Sequence, residues 1–177
     1  MTRLGRAEPD IAGRMESSAR SATASSPSTA GRTSARSPAQ WFCIVIGATL
    51  VLVGLLGFLA EAKFDTSIGG DGGALDGENF IIFEVNGWHN VVHIASGLFL
   101  LALSGRHRTA RTAAVAFGLI YAVVTVIGLI DGKDVLGLIP INPADNVLHI
   151  LLTVAALAAG FAPWREAGRS PARAEAR

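Results

Sequence analysis

The sequence predicts an all-α integral membrane protein: a four-helix bundle built from two tandem helical hairpins, behind a disordered N-terminal tail. Three observations carry that reading. Four apolar runs, at 41–60, 79–104, 112–130 and 144–163, each match the ~20 residues a helix needs to cross ~30 Å of hydrocarbon. Half of the 177 residues are hydrophobic and the mean hydropathy is +0.44, too apolar for an ordinary soluble core. Finally, Asn86-Gly87-Trp88-His89-Asn90-Val91-Val92-His93 and Asn142-Pro143-Ala144-Asp145-Asn146-Val147-Leu148-His149 read almost alike at a separation of 56 residues, and open the second and fourth runs. The unit is therefore a pair of helices used twice in the same direction.

Residues 1–35 are rich in Ser, Thr, Ala, Arg and Gly without an apolar period, which leaves too little surface to bury against the entropy of ordering. They are expected to be a disordered cytoplasmic tail, with Met15 as a second candidate start. The transmembrane domain is expected over 36–163. Ser37 as N-cap, Pro38 at the first helical position and Gln40 reaching back form a capping-box signature for the first helix. Gly47, Gly54 and Gly57 then line a stripe along which another helix can approach closely. Ala60-Glu61-Ala62 has the small-x-small form of a secretory cleavage site, but the apolar run before it is too long for a usual signal core, so a retained anchor is expected.

The loop from Glu61 to Glu84 has a Gly-rich centre, Gly69-Gly70-Asp71-Gly72-Gly73, that lacks the Lys-Ser/Thr of a phosphate-binding loop and reads as a flexible turn. Phe80-Ile81-Ile82-Phe83 follows, and its apolarity predicts that the second helix starts near Asn79, with Asn86 inside it. In the third run Gly118, Tyr121, Thr125 and Gly128 share one helical face. The fourth opens with Asn142 as N-cap, Pro143 at N1 and the Asp145 carboxylate near the positive end of the helix. Pro163-Trp164-Arg165 closes it, and 164–177 is a short basic tail.

Charge sets the orientation. Six Arg in the N-terminal tail, three between Arg106 and Arg111 and four from Arg165 to Arg177 make up thirteen of the 15 basic residues, whereas the two intervening loops carry mostly Asp and Glu. Basic residues stay on the cytoplasmic side, so both termini are expected inside the cell membrane and both acidic loops outside. The formal net charge of +1 conceals this segregation and gives no footprint for nucleic acid. Cys43 is the single cysteine, so it forms no intramolecular disulfide and reads as a small apolar residue.

Ionisable groups inside a span are expensive and are the first place to look for function. At 1.5 Å per residue, His93 and His149 fall at equal depth, with Asn90, Asn146 and Thr125 able to share their layer. One account makes this layer structural, with the Asn and His side chains bonding between helices. A second places His89 one turn above His93 and Asp145 one turn above His149, four ligands suited to a divalent transition metal. A third lets two axial histidines hold a haem, although the chain has no haem-attachment motif. No nucleophile elbow, HExxH or CxxC is present, so an enzyme is disfavoured.

Arg36-Ser37-Pro38-Ala39-Gln40 before a Gly-spaced span, His89-Asn90-Val91-Val92-His93, and the Ala-Asp-Asn-x-x-His core of 142–149 resemble the bacterial family known as domain of unknown function 4383. The resemblance covers about residues 34–162 and implies a small four-helix integral membrane protein. It implies no activity, substrate or catalytic residue. The long Ser/Arg-rich tail and Trp88 beside the first histidine depart from the family pattern. The leading expectation is a non-enzymatic multi-pass protein of the inner membrane with a buried His/Asn layer near the outer face. Its partner is the lipid bilayer, with a homo-oligomer or other membrane proteins as further candidates. The alternatives are a metal- or haem-binding redox protein, and a subunit of an oligomeric transporter.

Overall fold

A computed structural model describes residues 35–68, 75 and 77–164. The disorder expected for the N-terminal tail, the turn expected at the Gly-rich centre and the basic tail beyond Trp164 lie outside the described residues. Four helices dominate. The first, α1 (Pro38–Ala60), opens on a capping box in which Ser37 accepts from the Gln40 amide while Ser37 N–H donates to Gln40 Oε1 at 3.0 Å. Gln40 Nε2 also donates to the carbonyls of Ser104 and Gly105, both at 3.2 Å. One side chain thus satisfies an orphan helix terminus and ties it to the turn that follows α2 (Gly87–Leu103).

Here the structure departs from the sequence reading. Asn86 is the N-cap of α2, with an extended backbone (φ −141°, ψ −178°) and Oδ1 accepting from His89 N–H at 2.9 Å, so the helix begins at Gly87 and not near Asn79. The apolar stretch ahead of it forms a β-ribbon. Strands β1 (Glu78–Phe80) and β2 (Phe83–Val85) pair antiparallel around a turn in which Ile81 takes φ 65°. A second ribbon, β3 (Asp134–Val135) with β4 (Ile139–Pro140), links α3 (His107–Asp131) to α4 (Pro143–Phe161). The α3 helix stops at Gly132, which supplies the left-handed φ of 79° that a C-terminal cap of this kind needs. Asn142 is the N-cap of α4 as expected, and with Asp145 it closes a capping box there.

The helices pack as two hairpins, α1 on α2 and α3 on α4, the most extensive contacts in the fold. Small residues allow the approach. A Cβ on Gly57 would land on Asn90 Oδ1, and one on Gly128 would come within 2.6 Å of Asn146 Oδ1. Each asparagine of the paired motif is therefore seated on a glycine of the preceding helix. Away from the ribbons the hairpins share an apolar core that includes Cys43, Leu50, Leu100, Ala114 and Phe117, with Phe42 edge-on to Phe117 at 5.9 Å.

Outward faces are apolar as well: Leu55, Leu59, Ile120, Val123, Ile130, Leu151 and Val154 are all exposed. Three helices, α1, α3 and α4, are long and apolar enough to cross a membrane, while α2 is apolar but has only 17 residues. Contiguous apolar surface on this scale suits lipid and not water.

Candidate functional site

The repeated motif builds a polar cluster at the ribbon end of the bundle. Each copy starts with an asparagine that caps its own helix with Oδ1 and reaches the other hairpin with Nδ2. Asn86 Nδ2 donates to Leu138 O at 2.8 Å, and Asn142 Nδ2 donates to Ile82 O at 2.9 Å. Leu138 and Ile82 are themselves 56 residues apart, so the two bonds are one contact repeated with the hairpins exchanged. This reciprocal clasp fixes how α2 and α4 lie together beneath the ribbons.

Beneath the clasp are the histidines. His89 and His93 stand one turn apart on α2 with ring centroids 4.5 Å apart, and His149 of α4 lies 6.2 Å from His89. Their exposures are 2%, 6% and 4%, and one ring nitrogen from each lies within 4.8 Å of those of the other two. In a neutral imidazole one ring nitrogen carries the hydrogen and the other offers a lone pair. His89 Nδ1 sits 2.8 Å from the carbonyl of Glu84. A carbonyl only accepts, so Nδ1 carries the hydrogen and Nε2 is left with its lone pair. Nδ1 of His93 and Nδ1 of His149 are buried without a partner among the described residues. The Tyr121 ring stands edge-on to His149 at 5.4 Å, with the Ser96 side chain near its hydroxyl.

The remaining candidates take other places. Asn90 Nδ2 donates to Glu61 O at 2.9 Å and Asn146 Nδ2 to Gly128 O at 3.5 Å, so both amides bridge the helices of their own hairpin. The Oδ1 atoms of both are buried and unpartnered. Thr125 is buried, and its hydroxyl donates to Tyr121 O at 2.7 Å within α3. Asp145 is buried, and its Oδ2 accepts from Asn142 N–H at 2.9 Å and from Glu84 N–H at 3.0 Å. The carboxylate is held by the helix cap and by β2, and among the described residues the converging group consists of the three histidines.

Glu84 is the residue that sequence reasoning does not single out. Its main chain bonds His89 on one side and Asp145 on the other, and backbone groups leave no signal in residue type. Ser96 could have been found from its place one turn below His93 on α2.

Apolar four-helix construction, tandem hairpins and a polar layer drawn from a repeated Asn/His motif define a small helical protein whose long apolar helices fit a membrane. The chain belongs to the family described as Domain of unknown function (DUF4383), whose profile matches residues 40–162. No curated protein and no solved structure matches it.

Proposed function

We propose that this is a four-span, non-enzymatic protein of the bacterial inner membrane, with both termini in the cytoplasm and a ligand-binding histidine cluster near the outer face. The basic segments flank the end of the bundle opposite the ribbons, and the acidic loops accompany the ribbons, which supports that orientation. One observation carries the binding role: among the described residues the Nδ1 atoms of His93 and His149, one on each motif helix, are buried without partners in a group whose ring nitrogens lie within 4.8 Å of one another. A polar group stranded in a bundle costs about 1–3 kcal/mol, and a purely structural layer has no reason to keep two of them together. A site that receives a ligand does.

The test is apolar replacement. His93→Leu and His149→Phe remove stranded nitrogens, so, with wild type and variants all stripped with chelator in detergent, the melting temperature of each variant is expected to match or exceed that of wild type. A loss worth more than about 2 kcal/mol in either would return the layer to a structural role. Reporters fused after Arg177 and inserted between Arg106 and Arg111 are expected to read cytoplasm, and one near Gly72 the exterior. The reverse pattern would remove the four-span reading.

A further inference from the structure

We infer that His89, His93 and His149 form a three-nitrogen site for one first-row transition-metal ion, with a fourth coordination position open to a small exogenous ligand. The inference deepens the binding role proposed above and rests on it, without depending on the orientation in the membrane.

Neutral imidazole is the preferred nitrogen ligand of zinc, copper, nickel and iron, and three such ligands plus one open position is the arrangement of reactive zinc centres. Around a tetrahedral ion with bonds of ~2.0 Å, ligand nitrogens lie ~3.3 Å apart. The three rings already bring nitrogens within 4.8 Å of one another, a gap closed by small side-chain rotations. His89 is held as a metal ligand is: its Nδ1–H is bound to a backbone carbonyl, 2.8 Å away at Glu84, which leaves the Nε2 lone pair for an ion and increases its basicity. His93 and His149 keep unpartnered nitrogens at 6% and 4% exposure.

Among the described residues no other His, Cys, Asp or Glu joins this group, so the protein supplies three donors. Asp145 contributes at one remove. Two backbone N–H groups hold its carboxylate in place one turn from His149 on α4, so it offsets part of the ion's charge without a bond to it. What remains of that charge favours an anion such as hydroxide in the open position. A haem asks for something different. It takes two imidazoles on opposite faces of a wide macrocycle, and the His93 ring, 4.5 Å from that of His89, stands where the macrocycle would lie.

Full-length protein in detergent, stripped with chelator and titrated with zinc(II) or with cobalt(II) as its coloured substitute, tests this. About one ion per chain is expected by elemental analysis, with the intense visible bands of four-coordinate cobalt(II). His89→Gln, His93→Gln and His149→Gln are each expected to weaken binding by about a hundredfold or more, while Asp145→Asn, which keeps the cap acceptor, loses about tenfold. His107→Gln, at the opposite end of the bundle, is expected to bind as wild type does. Chelator should lower the melting temperature of wild type and leave the three histidine variants unmoved, which also reports on variants too weak to titrate. Absence of binding by either ion, a haem absorption spectrum in protein as purified, or Gln variants that bind normally would each overturn the site. The apolar replacements described above separate the two levels: if they leave stability intact and no metal binds, only the metal is wrong.

Discussion

The two helical hairpins are built alike and differ where chemistry begins. Asn86 matches Asn142 as cap and clasp, Asn90 matches Asn146 against Gly57 and Gly128, and His93 matches His149 one turn further on. The pair that breaks the match is His89 and Asp145. In the second hairpin the residue three past the cap is a carboxylate that accepts from Glu84 N–H, across in the first. The reciprocal bond has no donor, because the position matching Glu84 is Pro140, which has no N–H. His89 turns instead to the Glu84 carbonyl of its own segment, which leaves its other nitrogen without that bond, in a ring grouped with His93 and His149. Polar positions that are equal in the two halves hold the bundle and supply two of the clustered histidines, and the unequal pair adds the third.

That contrast can be broken most severely at the glycine seats. Gly57→Val and Gly128→Val each drive a side chain into an asparagine already in contact, and each is expected to cost about 3 kcal/mol or more in thermal unfolding in detergent. Equal losses would show that the seats are equivalent, while a loss in one alone would limit the repeat to sequence. The clasp comes next. Asn86→Ala and Asn142→Ala each remove a cap acceptor and a bond across to the other hairpin, for an expected loss of about 2 kcal/mol. The double variant should lose less than the sum of the two, because both bonds close the same junction.

The unequal pair is the sharper probe. His89→Asp places a carboxylate opposite Pro140, where no N–H can meet it, and is expected to destabilise by about 2 kcal/mol. Asp145→Asn retains an oxygen acceptor for Asn142 and Glu84 and should cost about 1 kcal/mol, by the same melting assay. If His89→Asp proved the milder of the two, the account of Pro140 as the broken partner would fail. The smallest effect belongs to the N-terminal tail: removing residues 2–34 should change stability by less than ~0.5 kcal/mol and leave membrane insertion intact.

Local rules made much of this fold legible. Ser37-Pro38-Ala39-Gln40 and Asn142-Pro143-Ala144-Asp145 mark helix starts because a cap is an interaction of three or four consecutive residues. The same logic applies to Asn86, yet Phe80 to Phe83 conceal it, since an apolar run supports a helix or a strand equally well. The ribbon there turns on Ile81 at φ 65°, a conformation rarely taken by a β-branched residue and absent from turn rules based on glycine and asparagine. In the site, equal depth followed from the 56-residue repeat and the His89–His93 pairing from one helical turn. Two assignments depended on geometry that spacing does not contain. Asp145 can cap a helix or bind an ion from one position, and Thr125 can face a neighbour or bond back to its own helix.

The short second helix gives the bundle a thin side. Seventeen residues extend ~25 Å, against ~30 Å for an average hydrocarbon layer, while α3 next to it in the chain has 25 residues. If lipid follows the protein, the leaflet on the ribbon side dips along α2, drawing headgroups and water down toward the level of His89. Membrane thickness then becomes a variable acting on the chain: long-chain lipids should tilt α2 or crowd neighbours against it, and short-chain lipids should fit it without distortion. Reconstitution across a series of acyl lengths is expected to give the highest melting temperature in the thinner bilayers, and a flat series would mean that the ribbons make up the missing length.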